Sequence, residues 1–159
     1  MEKPGQHGLP DIRAMNGIDA MRAIIAGDIP PPSISETLGF RLVEAEPGRV
    51  VFEGEPSDRI LNPMGVVHGG WAMTLIDSAC GAAGHTTLPP NVGYGTLETK
   101  ANFVRPITAG AGTLRAEGRV LAQGRTILTA EAKITGADGK LYAHGTSTCM
   151  ILRSEGKTS

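Results

Sequence analysis

Large aromatic side chains are scarce in this chain of 159 residues, which has one Trp, two Tyr and three Phe. Its core must therefore be built from Ala, Val, Ile and Leu, and its 22 glycines let backbones pack closely. Cys80 and Cys149 are the two cysteines; they lie in apolar surroundings without C-x-x-C spacing. They read as small buried hydrophobes in a reducing compartment, and neither a disulfide framework nor a zinc site is expected. Neither sign of charge dominates. Fifteen basic and sixteen acidic residues leave a net charge of −1, which provides no general field for nucleic acid or an anionic membrane. No apolar run approaches the ~20 residues of a transmembrane helix. Met1-Glu2-Lys3-Pro4-Gly5 has no basic region followed by an apolar stretch, so no secretory signal is read and a cytoplasmic location is expected. Repeats and charge blocks are absent as well.

What is present suffices for one domain. Forty per cent of the residues are hydrophobic, and a chain of this length buries roughly 68–70% of its unfolded surface. Disordered and collagen-like classes are excluded. Ile18, Met21, Ile24 and Ile25 recur at helical spacing from Asn16 to Ala26, and Gly27 and Pro30-Pro31-Pro32 stop that helix. Ser35 to Gly39 reads as a further helical turn. Arg41–Glu46 and Arg49–Glu55 flank Pro47-Gly48, a hairpin signal. Gly69–Ala83 is apolar on almost every side, as in a fully buried helix. Long β segments complete the chain: Val92–Arg105, Gly112–Ala122, and Arg125–Thr135 turning through Ala137-Asp138-Gly139-Lys140 into Leu141–Leu152. The predicted class is α+β, with five to six antiparallel strands curled round one long helix. Residues 1–35 form an N-terminal extension with a short helix, 36–153 the domain and 154–159 a tail.

The richest stretch is Asn62-Pro63-Met64-Gly65-Val66-Val67-His68-Gly69-Gly70, leading into the helix and its single acid, Asp77. Gly69-Gly70 stands where the helix begins, so unpaired N–H groups and the positive dipole end face whatever binds there. That suits a polarised carbonyl or a developing oxyanion, although two glycines also fit a tight turn. Asp77 interrupts an apolar run and needs a partner, a proton or a polar pocket. His68 and Asp77 are nine residues apart, so they point to opposite sides of the helix, roughly 13 Å apart along its axis. If both serve one reaction, a second subunit must supply one of them. His85, at the helix end, reads as a cation favoured by the dipole. His144 lies in a strand, and Trp71 and Met73 read as core or interface residues.

Asn62, His68-Gly69-Gly70 and Asp77, followed by the strand Thr96 to Pro106, resemble the hotdog-fold acyl-CoA thioesterases of the phenylacetate-degradation (PaaI-like) type. The resemblance runs over most of Leu38 to Leu152. It implies hydrolysis of an acyl-CoA, with an aryl-acetyl, aromatic or short- to medium-chain acyl group, to the free acid and CoA. It also implies a homodimer, with a homotetramer expected, and no metal or other cofactor. The roles it implies are a backbone oxyanion donor for Gly69 and a turn-shaping role for His68. Asn62 would orient the water or thioester, and Asp77 of the partner chain would be general base or nucleophile. Thr96, where relatives also carry serine, would position water beside Asp77. Gly70, Phe103, Val104, Arg105, Gly124, Arg125 and Thr126 are the positions the resemblance implies for binding substrate or CoA, with Arg105 and Arg125 matching CoA contacts. Lys100, Arg115, Arg119 and Lys133 are substitute cations, although strand charges most often serve solubility. The alternatives are a hotdog hydratase or dehydratase on enoyl or 3-hydroxyacyl thioesters, which the opposite-face geometry disfavours, and a non-catalytic acyl-CoA-binding module, which would not need Asp77.

Overall fold

The computed structural model describes residues 11–153; the expectations for residues 1–10 and for the tail lie outside that range. After a 3-10 turn at Ile12–Ala14 come helix α1 (Gly17–Ala26) and helix α2 (Ser33–Leu38). Both close on a left-handed glycine, Gly27 at φ 84° and Gly39 at φ 69°, a conformation that a Cβ disfavours. Strands β1 (Phe40–Glu46) and β2 (Arg49–Gly54) form the hairpin read at Pro47-Gly48. A loop then leads into α3 (Gly69–His85), followed by β3 (Val92–Phe103), β4 (Leu114–Gln123), β5 (Ile127–Thr135) and β6 (Leu141–Arg153). The six strands form one antiparallel sheet in the order β1-β2-β4-β5-β6-β3. The sheet curls round α3, which packs on every strand, and this is the hotdog architecture.

Period-two burial along the strands explains the curl. Leu114, Ala116 and Gly118 of β4, Leu128, Ala130, Ala132 and Ile134 of β5, and Ala143, Gly145, Ser147 and Cys149 of β6 all face α3. Most are small, which brings the helix axis close to the sheet. A Cβ on Gly118 would stand 2.2 Å from the Ala79 carbonyl oxygen, so any larger residue there forces helix and sheet apart. Leu75, Ile76, Ala79 and Cys80 fill the layer between them. Burial pushes the Cys80 thiol up to about 12 and raises that of Cys149. No helix among the described residues is long and apolar enough to cross a membrane.

Two expectations need correction. α3 is not covered on all sides: Gly70, Met73, Thr74, Asp77 and Ser78, at i, i+3, i+4, i+7 and i+8, form a partly exposed stripe. The sheet has two edges, β1 and β3, and the stripe lies in the gap between them. His85 is not a dipole-stabilised cation either. Its two ring nitrogens are buried without hydrogen-bond partners, and its ring tilts against Tyr94 at 5.7 Å between centroids. Burial therefore lowers its pKa below 6.5.

A stability prediction follows. His85 is held neutral in the fold, whereas in the unfolded chain it takes a proton near pH 6.5. Its contribution is complete above that pH and is lost as the pH falls towards the lower folded value. A second loss belongs to an ion network on the outer face of β1, β2 and β4. Hydrogen bonds from Arg115 and Arg49 lower the Glu44 pKa. At Glu117 burial acts upwards, but hydrogen bonds from Arg119 and Arg49 outweigh it and the net shift is down. Those carboxylates stabilise the fold above the unfolded value of 4.5 and cease to do so as pH drops further. Melting temperature should thus fall in two stages on acidification, and His85→Leu should abolish the first stage only. A His85→Leu curve parallel to wild type between pH 7 and 5 would contradict this.

Candidate active site

His68 is the N-cap of α3. Its Nδ1 accepts the Gly70 N–H at 2.9 Å, which caps the start of the helix. Its own N–H donates to the Ile60 carbonyl at 2.8 Å, and its carbonyl accepts the Trp71 N–H at 3.0 Å. The cap consumes the Gly70 amide. The preceding amide, Gly69 N–H, has no acceptor among the described residues, and its half-buried backbone carries the positive end of a 17-residue helix.

Asn62 organises the loop ahead of the cap. Its Oδ1 accepts N–H groups of Met64 at 2.9 Å and Val66 at 3.3 Å, while its backbone N–H donates to the Val66 carbonyl at 2.8 Å. Gly65, at φ 79°, makes the turn. With Oδ1 engaged, the Nδ2 hydrogens remain as donors. A cavity of about 340 Å³ gathers Asn62, His68, Gly69, Phe103, Val104 and Arg105. Six of the residues singled out in the sequence therefore meet in space. The Phe103 ring lies over Gly69, 3.1 Å from where a Cβ would stand, and the Arg105 guanidinium sits 6.0 Å from the centre of the Tyr142 ring.

Asp77 lies elsewhere, half-buried on the open stripe of α3. Eight residues separate it from Gly69, about 12 Å of helix rise. Its Oδ1 accepts the hydroxyl of Thr99 at 2.9 Å; Thr99 also contacts the buried Ser147 hydroxyl at 3.0 Å, and Ser147 donates to the Glu98 carbonyl at 3.1 Å. Sequence reasoning missed Thr99 and Ser147. It chose Thr96, whose hydroxyl instead contacts the Cys149 sulfur at 3.9 Å. The cause is a β-bulge between Thr96 and Glu98 that leaves Leu97 unpaired. The bulge shifts the alternation by one, so Thr96 and Thr99 share the inward face.

The remaining predicted residues fall at the Gly95 end of β3, beyond Thr99 and the Asp77 it binds. Gly124, Arg125 and Thr126 form the β4–β5 turn, where Thr126 accepts the Ile151 N–H at 2.8 Å. Through β6 this turn neighbours Gly95, whereas Phe103 pairs with Ala143 at the other end of β3. Along β6 the two ends lie about 23 Å apart at ~3.3 Å per strand residue. Two of the substitute cations are already engaged: Arg115 pairs with Glu44 and Glu53, and Arg119 with Glu117. Arg105, Arg125, Lys100 and Lys133 make no ion pair among the described residues. No group of three or more His, Cys, Asp or Glu is placed to hold a metal ion among the described residues.

Comparison with known proteins bears on this arrangement. The model of the thioesterase superfamily matches residues 64–143, a span that includes the cap, α3 and most of the sheet but not α1. The 1,4-dihydroxy-2-naphthoyl-CoA hydrolase of Listeria monocytogenes is 30% identical over 74% of this chain and 93% of its own length. A phenylacetic acid degradation-related protein of Ralstonia eutropha superposes with a TM-score of 0.74 at 30% identity, covering 82% of this chain and 98% of its own. A Streptococcus mutans protein solved with bound acetyl CoA is 28% identical with a TM-score of 0.66, over 72% of this chain and 90% of its own.

Proposed function

The chain belongs to the thioesterase superfamily, in its PaaI-like hotdog branch, and from that premise we propose a site shared between two subunits. It is a thioester hydrolase, and acyl-CoA thioesters are its general substrate class. The proposed acyl groups are aryl-acetyl, aromatic or short- to medium-chain. The observation that carries the reading is the division of the site. A free amide at the start of α3 sits in a cavity at the Phe103 end of β3, and a carboxylate bound by Thr99 lies near the middle of that strand. β3 is twelve residues long and among the described residues pairs with β6 alone, which leaves its outer edge open there. A second copy adding antiparallel to that edge, about a two-fold axis, would set its Phe103 end against the half of β3 from Thr99 to Gly95 in the first. Each Gly69 then faces a partner Asp77. Exposed Ile127, Met150 and Leu152 on the outer face of the sheet support a further pairing of dimers into a homotetramer.

In each proposed site the thioester carbonyl accepts the Gly69 N–H, assisted by Asn62 Nδ2. The partner's carboxylate at position 77 removes a proton from water as the water oxygen bonds to the carbonyl carbon. Collapse of the tetrahedral species breaks the C–S bond and releases CoA as thiolate, with a thiol pKa of about 8.5. A leaving group so acidic needs little help, so these groups suffice without another cofactor. Arg105 of one chain and Arg125 of the other are the proposed phosphate contacts, with Gly124 and Thr126 beside the latter.

Thr99 is a positioning residue here, because its hydroxyl holds Oδ1 and leaves Oδ2 for the proton. Thr99→Val should lower kcat on the order of tenfold, a lost hydrogen bond to a charged group, with KM little changed. Thr99→Ser should restore it. Equal loss in both variants would assign Thr99 to packing. The function itself is tested by free-thiol release from a panel of acyl-CoAs. Turnover is expected, and binding without any hydrolysis would contradict it.

A further inference from the structure

The N-terminal helix is firmly seated. A Cβ on Gly17 would lie 1.7 Å from the His85 carbonyl oxygen, and the Gly17 N–H donates to the Leu88 carbonyl at 3.0 Å. These contacts fix the start of α1 on the C-terminal end of α3, and the helix also packs along β1. α1 thus covers part of the gap between β1 and β3 that leaves the stripe of α3 open. Beneath it is a cavity of about 140 Å³, whose walls include Met21 and Ile24 of α1, Leu42, Phe52, Ser78 and Tyr94. Ser78 directly follows Asp77 on the stripe. Tyr94 lies on the inward face of β3, two positions from Thr96 and five from Thr99, which binds Asp77. Pro31 and Pro32, just beyond α1, complete the closure.

We propose that α1 closes the far end of the acyl groove and limits the acyl group by size, with Met21 and Ile24 as the limiting side chains. This rests on the thioesterase reading and adds what the chain selects. The cavity has the capacity of an apolar one of about 150 Å³ that stays dry and admits benzene. It takes a compact acyl group with about the bulk of one six-membered ring. A long linear chain meets Met21 and Ile24. α1 lies outside residues 64–143, which match the superfamily model, so the restriction is separate from the hydrolytic groups at Gly69 and Asp77.

The test compares kcat/KM for acetyl-, phenylacetyl-, octanoyl- and palmitoyl-CoA. Wild type should favour phenylacetyl-CoA over palmitoyl-CoA. A single methylene in an apolar pocket changes specificity about tenfold or more. Ile24→Ala should therefore raise the octanoyl-to-phenylacetyl ratio about tenfold, and Ile24→Trp should lower the phenylacetyl-to-acetyl ratio by a similar factor. Ile24 is half-buried, and a retained melting transition in both variants confirms that they fold. Hydrolysis with both ratios unchanged overturns the role of α1 while leaving the enzyme a thioesterase. No hydrolysis of any ester overturns the thioesterase reading and the inference together.

Discussion

Replacing Asp77 by Asn should collapse turnover by about 10²–10⁴-fold, the usual contribution of a positioned general base, while leaving acyl-CoA affinity near that of wild type. The substitution is nearly isosteric, and the Oδ1 of Asn can still accept the Thr99 hydroxyl that now donates to Asp77 at 2.9 Å. The network through Ser147 therefore stays in place and the melting temperature should move little. What disappears is the capacity to take a proton from water. Thiol release measured beside an equilibrium binding assay separates the two effects. A variant that turns over as well as wild type would remove the carboxylate from the mechanism.

Gly69→Val should be almost as damaging, by a different route. Losing an oxyanion donor costs on the order of 10²–10³ in rate. The amide survives this substitution, but its approach does not. A Cβ at position 69 would stand 3.1 Å from the Phe103 ring, and the two γ-methyl groups of valine would crowd the cavity where the carbonyl must sit. Both kcat and affinity should fall, unlike in Asp77→Asn. Gly69→Ala should be intermediate, because the exposed Phe103 ring can tilt away. Normal kinetics in Gly69→Val would displace the thioester from this amide.

Much of the fold is legible in the sequence because its punctuation is local. Pro47-Gly48 sets the first hairpin, Gly27 ends α1, and Asp138-Gly139 joins β5 to β6. The position of the cap is legible too, since His68-Gly69-Gly70 precedes an apolar run. Helical arithmetic alone separates His68 from Asp77. What stays hidden depends on three-dimensional packing. The bulge at Leu97 has no local signal and decides which threonine meets Asp77. The open stripe of α3 depends on where the two sheet edges stop. His85 looks like a surface cation until Tyr94 and α1 are seen to bury it.

The sharing of one site by two chains is tested most directly by mixing inactive parents. Gly69→Val and Asp77→Asn chains should each be nearly inactive as homodimers. When the two are unfolded together and refolded, half of the dimers are mixed. Each mixed dimer has one site with both wild-type groups and one with neither. Activity should return to about a quarter of the wild-type value, as two-fold symmetry requires. Activity that stays at the level of the separately refolded parents would place Gly69 and Asp77 of the same chain in one site and contradict the account.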